Sequence, residues 1–197
     1  VTIAIGHSGA DYETACAAID AGAAACTHTF NAMGLFHQHR PGIMGAVLER
    51  PVMCEAICDG RHLHPGSVRM LLACKGWDKV VAITDSIQAA GLPDGHYKLG
   101  VNDVVVVDGD AKLAENGVRA GSTLTTGQAL KNLVQFTGES VEKVLPLLTS
   151  NPARLIGMDY RKGSIAPGKD ADLAVLDQDL NVTATYVAGQ CVFAAQE

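Results

Sequence analysis

No stretch of the sequence approaches the roughly 18 uninterrupted apolar residues that a membrane-crossing helix needs, so none of it reads as one. Runs of Lys and Arg are missing as well and the net charge is −6, which makes nucleic acid and anionic membrane surfaces poor partners. Aromatics are scarce, 5% of 197 residues against 48% hydrophobic. Ala, Val and Gly fill the difference, and such small residues suit helices packed tightly on a sheet. The six cysteines lack a metal-type or disulfide-type pattern. The one close pair, Cys54 and Cys58 in "PVMCEAICDG", reads as buried thiols on one face of a strand, because free Cys behaves as a small hydrophobe. Such usage fits a reducing, cytoplasmic setting.

What is present is alternation. "VTIAIG" (1–6) reads as a strand buried on both faces, followed by a helix in "DYETACAAIDAGA" with Asp11 as N-cap and Gly22 as stop signal. "AAACTH" (23–28) is a second strand and "GLFHQHRPG" (34–42) a loop; "PVMCEAICD" (51–59) is a third strand. "HPGSVRMLLACKG" (64–76) is a helix, and "KVVAITDS" (79–86) a fourth strand. Strands alternating with helices across short connections indicate βαβ units and a parallel sheet.

The pattern then changes. Residues 95–122 carry short strand-like runs between Gly-Val-Asn, Asp-Gly-Asp and Glu-Asn-Gly turn signals, so they form a β excursion. Two helical segments follow, the second N-capped by Ser140 and broken at Pro146 or Asn151-Pro152. The tail returns to β. Val1 stands already inside a strand, where a domain seldom begins, so the expectation is the later portion of a longer protein.

Each of the four leading strands ends on polar residues: His7, His28, Asp59 with His62, and Asp85. In a TIM-type barrel the carboxyl ends of the strands form the active-site rim. Histidines 21 residues apart, in successive βα units, come side by side on that rim and suit a divalent metal. Two are fewer than the about three protein ligands of a catalytic site, and a carboxylate is the usual complement. Asp85 reads as a general base toward a water activated on the metal, or as the N-cap of a short helical turn in "SIQAAG".

Of His62 and His64, one is solvated or caps the next helix, and a neutral imidazole at the rim could polarise a substrate carbonyl. His37, His39 and His96 read as surface residues. Arg40, before a Pro-Gly turn, suits bidentate binding of phosphate or carboxylate. "NAM" (31–33) and "RAGS" (119–122) offer small side chains and backbone amides beside the candidate site.

Taken together, "GHSGADYE", "THTFNAM", "RPGIMGA", "DGRHLHP", "TDS" and "AGSTLT", in this order and spacing, resemble the N-acetylglucosamine-6-phosphate deacetylases of the amidohydrolase superfamily. The tail "GSIAPGKDADLAVLD" is similar to the closing β segment of that superfamily. The resemblance implies an α/β fold: the second half of a TIM-type (β/α)8 barrel over 1–160, with the β excursion at about 95–122, and a C-terminal accessory β segment over 161–197.

It further implies His7 and His28 as ligands of a divalent metal, Zn²⁺ first and Fe²⁺ second, and Asp85 as the catalytic aspartate that activates water and later protonates the departing amine. His62 would contact the substrate and help polarise its acetamide carbonyl. Asn31, Ala32 and Arg40 would hold the sugar phosphate, and Ala120 and Gly121 would line the sugar. The partner implied is a small phosphosugar, the complete protein is expected as a homodimer, and the reaction is hydrolysis of an N-acetyl amino-sugar phosphate. The family's glutamate ligand has no counterpart here, since His7 is already on the first strand. Weak metal binding and little activity are therefore expected of this chain alone.

Two other readings compete. An amidohydrolase acting on a cyclic amide would use a two-metal site bridged by a carboxylated lysine, and no lysine ends any of the four strands. A non-catalytic fragment that self-associates would hold no metal.

Overall fold

The computed structural model describes residues 1–195. Four short strands, β1 (Ala4–Ile5), β2 (Ala25–Cys26), β3 (Met53–Ile57) and β4 (Val80–Ile83), form one parallel sheet in the order β1-β2-β3-β4. Helices occupy the connections: α1 (Tyr12–Asp20), α2 (Gly42–Glu49) and α3 (Pro65–Lys75). Asp11 caps α1 by accepting from the Thr14 N–H at 2.8 Å, and the His64 ring caps α3 by accepting from the Gly66 N–H at 3.0 Å. The core lies between sheet and helices, where Cys26, Val47, Cys54, Ala56, Leu71 and Leu133 are fully buried. Each large side chain among them contributes about 1.5–3 kcal/mol.

Three features depart from expectation. Residues 1–6 are not a strand buried on both faces: only Ala4 and Ile5 pair, and Val1 and Ile3 are exposed. Among the described residues, β1 pairs with β2 alone. The helix α2, absent from the sequence reading, carries two glycines and a valine among eight residues, which intrinsic propensity disfavours. Burial of Ile43, Met44, Ala46 and Val47 outweighs that propensity. Ser140 occupies an N-cap position, but its side chain makes no capping hydrogen bond.

The β excursion is a three-stranded antiparallel sheet, β5 (Gly95–Leu99), β6 (Asn102–Val107) and β7 (Asp110–Leu113). Asp108 and Gly109 join β6 to β7 with φ of 51° and 70°, as a two-residue type I′ turn requires. Its inner face, Val104, Val106 and Ala111, packs on Ile87 and Ala89. After it comes α4 (Thr126–Thr137), capped by Thr125 and closed by Gly138 in the left-handed conformation. The second helical segment is broken into α5 (Val141–Val144), a 3-10 turn at Leu145–Leu148 containing Pro146, and α6 (Ser150–Leu155). Buried Asn151 donates to the carbonyls of Trp77 and Val80, both at 2.7 Å, and so ties α6 to the start of β4. Strands β8 (Leu173–Leu176), β9 (Val182–Val187) and β10 (Gln190–Ala194) form a further antiparallel sheet.

Candidate active site

Register determines which rim residues meet. Ile5 pairs with Cys26, and Ile57 with Ile83. His7 and His28 therefore each lie two residues past one paired position, and Asp59 and Asp85 two residues past the other. Cys26 pairs with Cys54, so β3 runs beyond the level of His28 and the second pair sits further along the rim. The alternation of strand and helix thus brings all four carboxyl-terminal residues to one edge of the sheet.

His7 Nδ1 lies 3.3 Å from His28 Nε2, with the two rings edge to face. Two nitrogens bound tetrahedrally to one metal at about 2.0–2.1 Å stand about 3.3–3.4 Å apart, so the pair has the spacing of adjacent metal ligands. Gly6 permits the approach. A Cβ there would lie 2.5 Å from Thr27 Cγ2 and 2.9 Å from the Thr27 carbonyl. His28 Nδ1 is buried and, among the described residues, has no hydrogen-bond partner. Also among the described residues, no group of three His, Cys, Asp or Glu gathers to hold a metal. The donor chemistry and spacing fit a divalent cation, with two protein ligands present.

Three rim residues hold strained backbone: φ is 49° at His7, 27° at His28 and 51° at Asp85. For residues other than glycine this region costs about 1–3 kcal/mol each, and it recurs where side chains must be aimed. Asp85 is exposed, and the next element after β4 is β5, so Asp85 caps no helix. Its backbone carbonyl accepts from the Ser122 N–H at 2.8 Å, and Ile87 N–H donates back to the Ser122 carbonyl at 2.9 Å. This ladder docks residues 120–122 against the end of β4. Gly121 fits because a Cβ there would stand 2.5 Å from Ile87 Cγ2 at a φ of +61°. Ala120 is half-buried against the excursion's apolar cluster.

Asp59, noted in the sequence only as a rim residue, is a hub. Its carboxylate accepts from the backbone N–H groups of Arg61 and His62 at 2.8 and 2.7 Å and meets His62 Nδ1 at 2.6 Å. Burial pushes this carboxyl up, but the His62 ring and the two N–H groups together hold it below the ordinary carboxylate value. Asn132 on α4 donates to the Cys58 carbonyl at 2.8 Å, steadying the same segment. Asp59, Arg61, Asp94, Thr123 and Asn132 line a cleft of about 460 Å³. The two histidines of the pair lie outside its lining. The signal for Asp59 in the sequence is its place at the end of the third strand, three residues before His62.

The Asn31 side chain donates to the carbonyls of His28 and Thr29 at 3.0 and 3.2 Å. It therefore shapes the turn after β2, and Ala32 beside it is exposed with φ of 51°. Arg40 lies on the exposed loop 34–40, which closes through its N–H to the His37 carbonyl at 2.9 Å. The structure thus brings His7 to His28 and Asp59 to His62 in direct contact, and bonds Asp85 to Ser122, the residue after Gly121. Arg40 stands apart from these contacts.

The chain is similar to known proteins in sequence and in fold. A sequence profile described as the amidohydrolase family matches residues 1–192. The chain is 38% identical over 191 residues to the N-acetylgalactosamine-6-phosphate deacetylase of Escherichia coli O157:H7, covering 96% of this chain and 50% of that protein. It is 36% identical over 198 residues to the N-acetylglucosamine-6-phosphate deacetylase of Bacillus subtilis (strain 168), covering 100% and 50%. Among solved structures, the N-acetylglucosamine-6-phosphate deacetylase of Thermotoga maritima superposes with a TM-score of 0.93 at 39% identity, covering 99% of this chain and 53% of that one. A mutant of the Mycobacterium smegmatis enzyme, in complex with N-acetyl-D-glucosamine-6-phosphate, gives 0.92 at 40% identity, covering 98% and 51%. The chain spans about half the length of each of these relatives. With nearly every residue inside the matched region, the chain belongs to the amidohydrolase family.

Proposed function

We propose that this chain supplies the catalytic rim of a metal-dependent deacetylase that hydrolyses N-acetylglucosamine 6-phosphate to glucosamine 6-phosphate and acetate. The observation that carries the reading is the His7–His28 pair at ligand spacing, on the same strand-end rim as Asp85. Residues 1–160 are read as the second half of a TIM-type barrel interrupted by the β excursion at 95–122, and 161–197 as the accessory β segment. The complete protein is read as a cytoplasmic homodimer; free, buried Cys26, Cys54 and Cys58 favour the reducing compartment.

His7 and His28 would hold the cation, Zn²⁺ or Fe²⁺, with a glutamate outside residues 1–197 as third ligand. When bound, a divalent cation lowers the pKa of the attacking water and polarises the carbonyl. Asp85 accepts a proton from that water as its oxygen bonds to the acetamide carbon. It then returns the proton to the nitrogen as the C–N bond breaks, leaving acetate and the free amine. Arg40 pairs with the phosphate, the Asn31–Ala32 turn presents backbone to it, and Ala120 and Gly121 line the sugar. His62 contacts the substrate near the acetamide.

The test is acetate release by the complete protein with Asp85→Asn. The rate should fall by about 10²–10⁴-fold with metal content unchanged; a variant as active as the parent removes Asp85 from the role. Because relatives are named for both hexosamine epimers, the assay includes each, and the gluco epimer should give the higher kcat/KM.

A further inference from the structure

The reading of His62 as a substrate contact leaves open which ring nitrogen faces the substrate and whether it gives or takes a hydrogen bond. Asp59 decides both. One carboxylate oxygen, Oδ1, accepts from the N–H groups of Arg61 and His62, and the other, Oδ2, lies 2.6 Å from His62 Nδ1. The side chains of His62 and Asp59 are only 9% and 10% exposed, so water scarcely competes for this contact. An ionised carboxylate only accepts, and the two backbone N–H groups on Oδ1 favour that state of Asp59. The proton of the contact therefore belongs to Nδ1, and Nε2 is the nitrogen left for a ligand. In the neutral ring Nε2 is then a lone pair. Such a ring has no N–H at Nε2 to offer the acetamide carbonyl and differs in that from a neutral His62 that polarises it.

We infer that Asp59 is a positioning residue that fixes His62 as the Nδ1–H tautomer, so that the neutral ring accepts a hydrogen bond at Nε2 from a hydroxyl or amide N–H of the amino sugar. The substrate half of this inference rests on the function proposed above; the tautomer half does not. Asp59→Asn is an informative change because it alters charge and proton pattern at constant shape. Its Oδ1 must stay on the two backbone N–H groups, since an amide NH2 there would meet two donors. The NH2 then faces Nδ1 and requires a lone pair on it, which moves the ring proton to Nε2.

The experiment is 15N–1H correlation NMR of histidine-labelled full chain at about pH 8, above the ordinary imidazole pKa of about 6.5. Loss of one ring pattern in His62→Gln assigns His62. The parent should show a protonated Nδ1 and a bare Nε2, and Asp59→Asn the reverse. A parent ring protonated at Nε2, or an identical pattern in both proteins, overturns the inference. If Asp59→Asn fails to fold, the parent spectrum alone decides the tautomer.

In the complete enzyme, Asp59→Asn should lower kcat by about 10–100-fold, the range for a residue that orients a working group, with KM within about threefold. Asp59→Glu should recover part of the loss. Unchanged kcat with a reversed tautomer removes the substrate half and keeps the tautomer half. Absence of deacetylation in the parent overturns the functional reading, and with it the substrate half, while the spectrum still tests the tautomer half.

Discussion

At the scale of single residues, the candidate site is marked by backbone strain. His7, His28 and Asp85 all sit at positive φ, a conformation that persists only when surroundings over-determine it. Glycine adopts this conformation without strain, so replacing one of these residues by glycine relieves the backbone and removes only the side chain. Asp85→Gly should thus hold or raise the melting temperature while abolishing acetate release, and a coordinate loss of both would argue for a structural role. Arg40→Ala should raise KM for the phosphorylated sugar at least tenfold more than for the unphosphorylated one; equal effects would remove the phosphate role.

Asp59 adds a pH signature. Its folded-state pKa lies below its ordinary value, so the stability it contributes is complete above about pH 4, the unfolded aspartate range. That stability drains away as pH falls through the lower folded value. Denaturation midpoints of Asp59→Asn and the parent should converge in acid and separate at neutral pH.

At the scale of elements, the rim loop is held from outside by the β excursion. Asp110 on β7 forms a two-point ion pair with Arg119 at 2.7 and 2.9 Å, and Arg119 donates to the Arg61 carbonyl at 3.1 Å. The Arg119 guanidinium first, then Lys112, holds the Asp110 carboxyl well below the usual carboxylate range against its partial burial. Asp110→Asn should destabilise by about 1–2 kcal/mol, in urea titrations at neutral pH. Part of the activity should go with it, because residues 59–62 lose an anchor.

This level is also where sequence reading succeeds and fails for physical reasons. The turn chemistry of Asp108-Gly109 and the alternation before it made the excursion legible, since both signals are local. The helix α2 was hidden because Gly42, Gly45 and Val47 oppose helix locally, and only packing reverses the balance. For β1, the apolar run states what can be buried and not which neighbour covers it, and Val1 and Ile3 stand exposed. The His7–His28 pairing was readable from their matching offsets past two strands. The Asp59–His62 contact was not, since it depends on a loop conformation that spacing alone leaves undetermined.

At the scale of the whole molecule, a parallel sheet brings His7, His28, Asp59 and Asp85 to its carboxyl edge, while Asn151 ties α6 to the start of β4. The chain spans about half the length of its deacetylase relatives, so the most direct test measures metal and chemistry together. Metal content and acetate release from N-acetylglucosamine 6-phosphate are determined on residues 1–197 and on the complete gene product, each as parent and as His28→Ala. The account predicts about one divalent metal and activity in the complete parent, weak metal retention in residues 1–197, and loss of both metal and activity in His28→Ala. A His28→Ala complete protein that keeps its metal and its rate would contradict it.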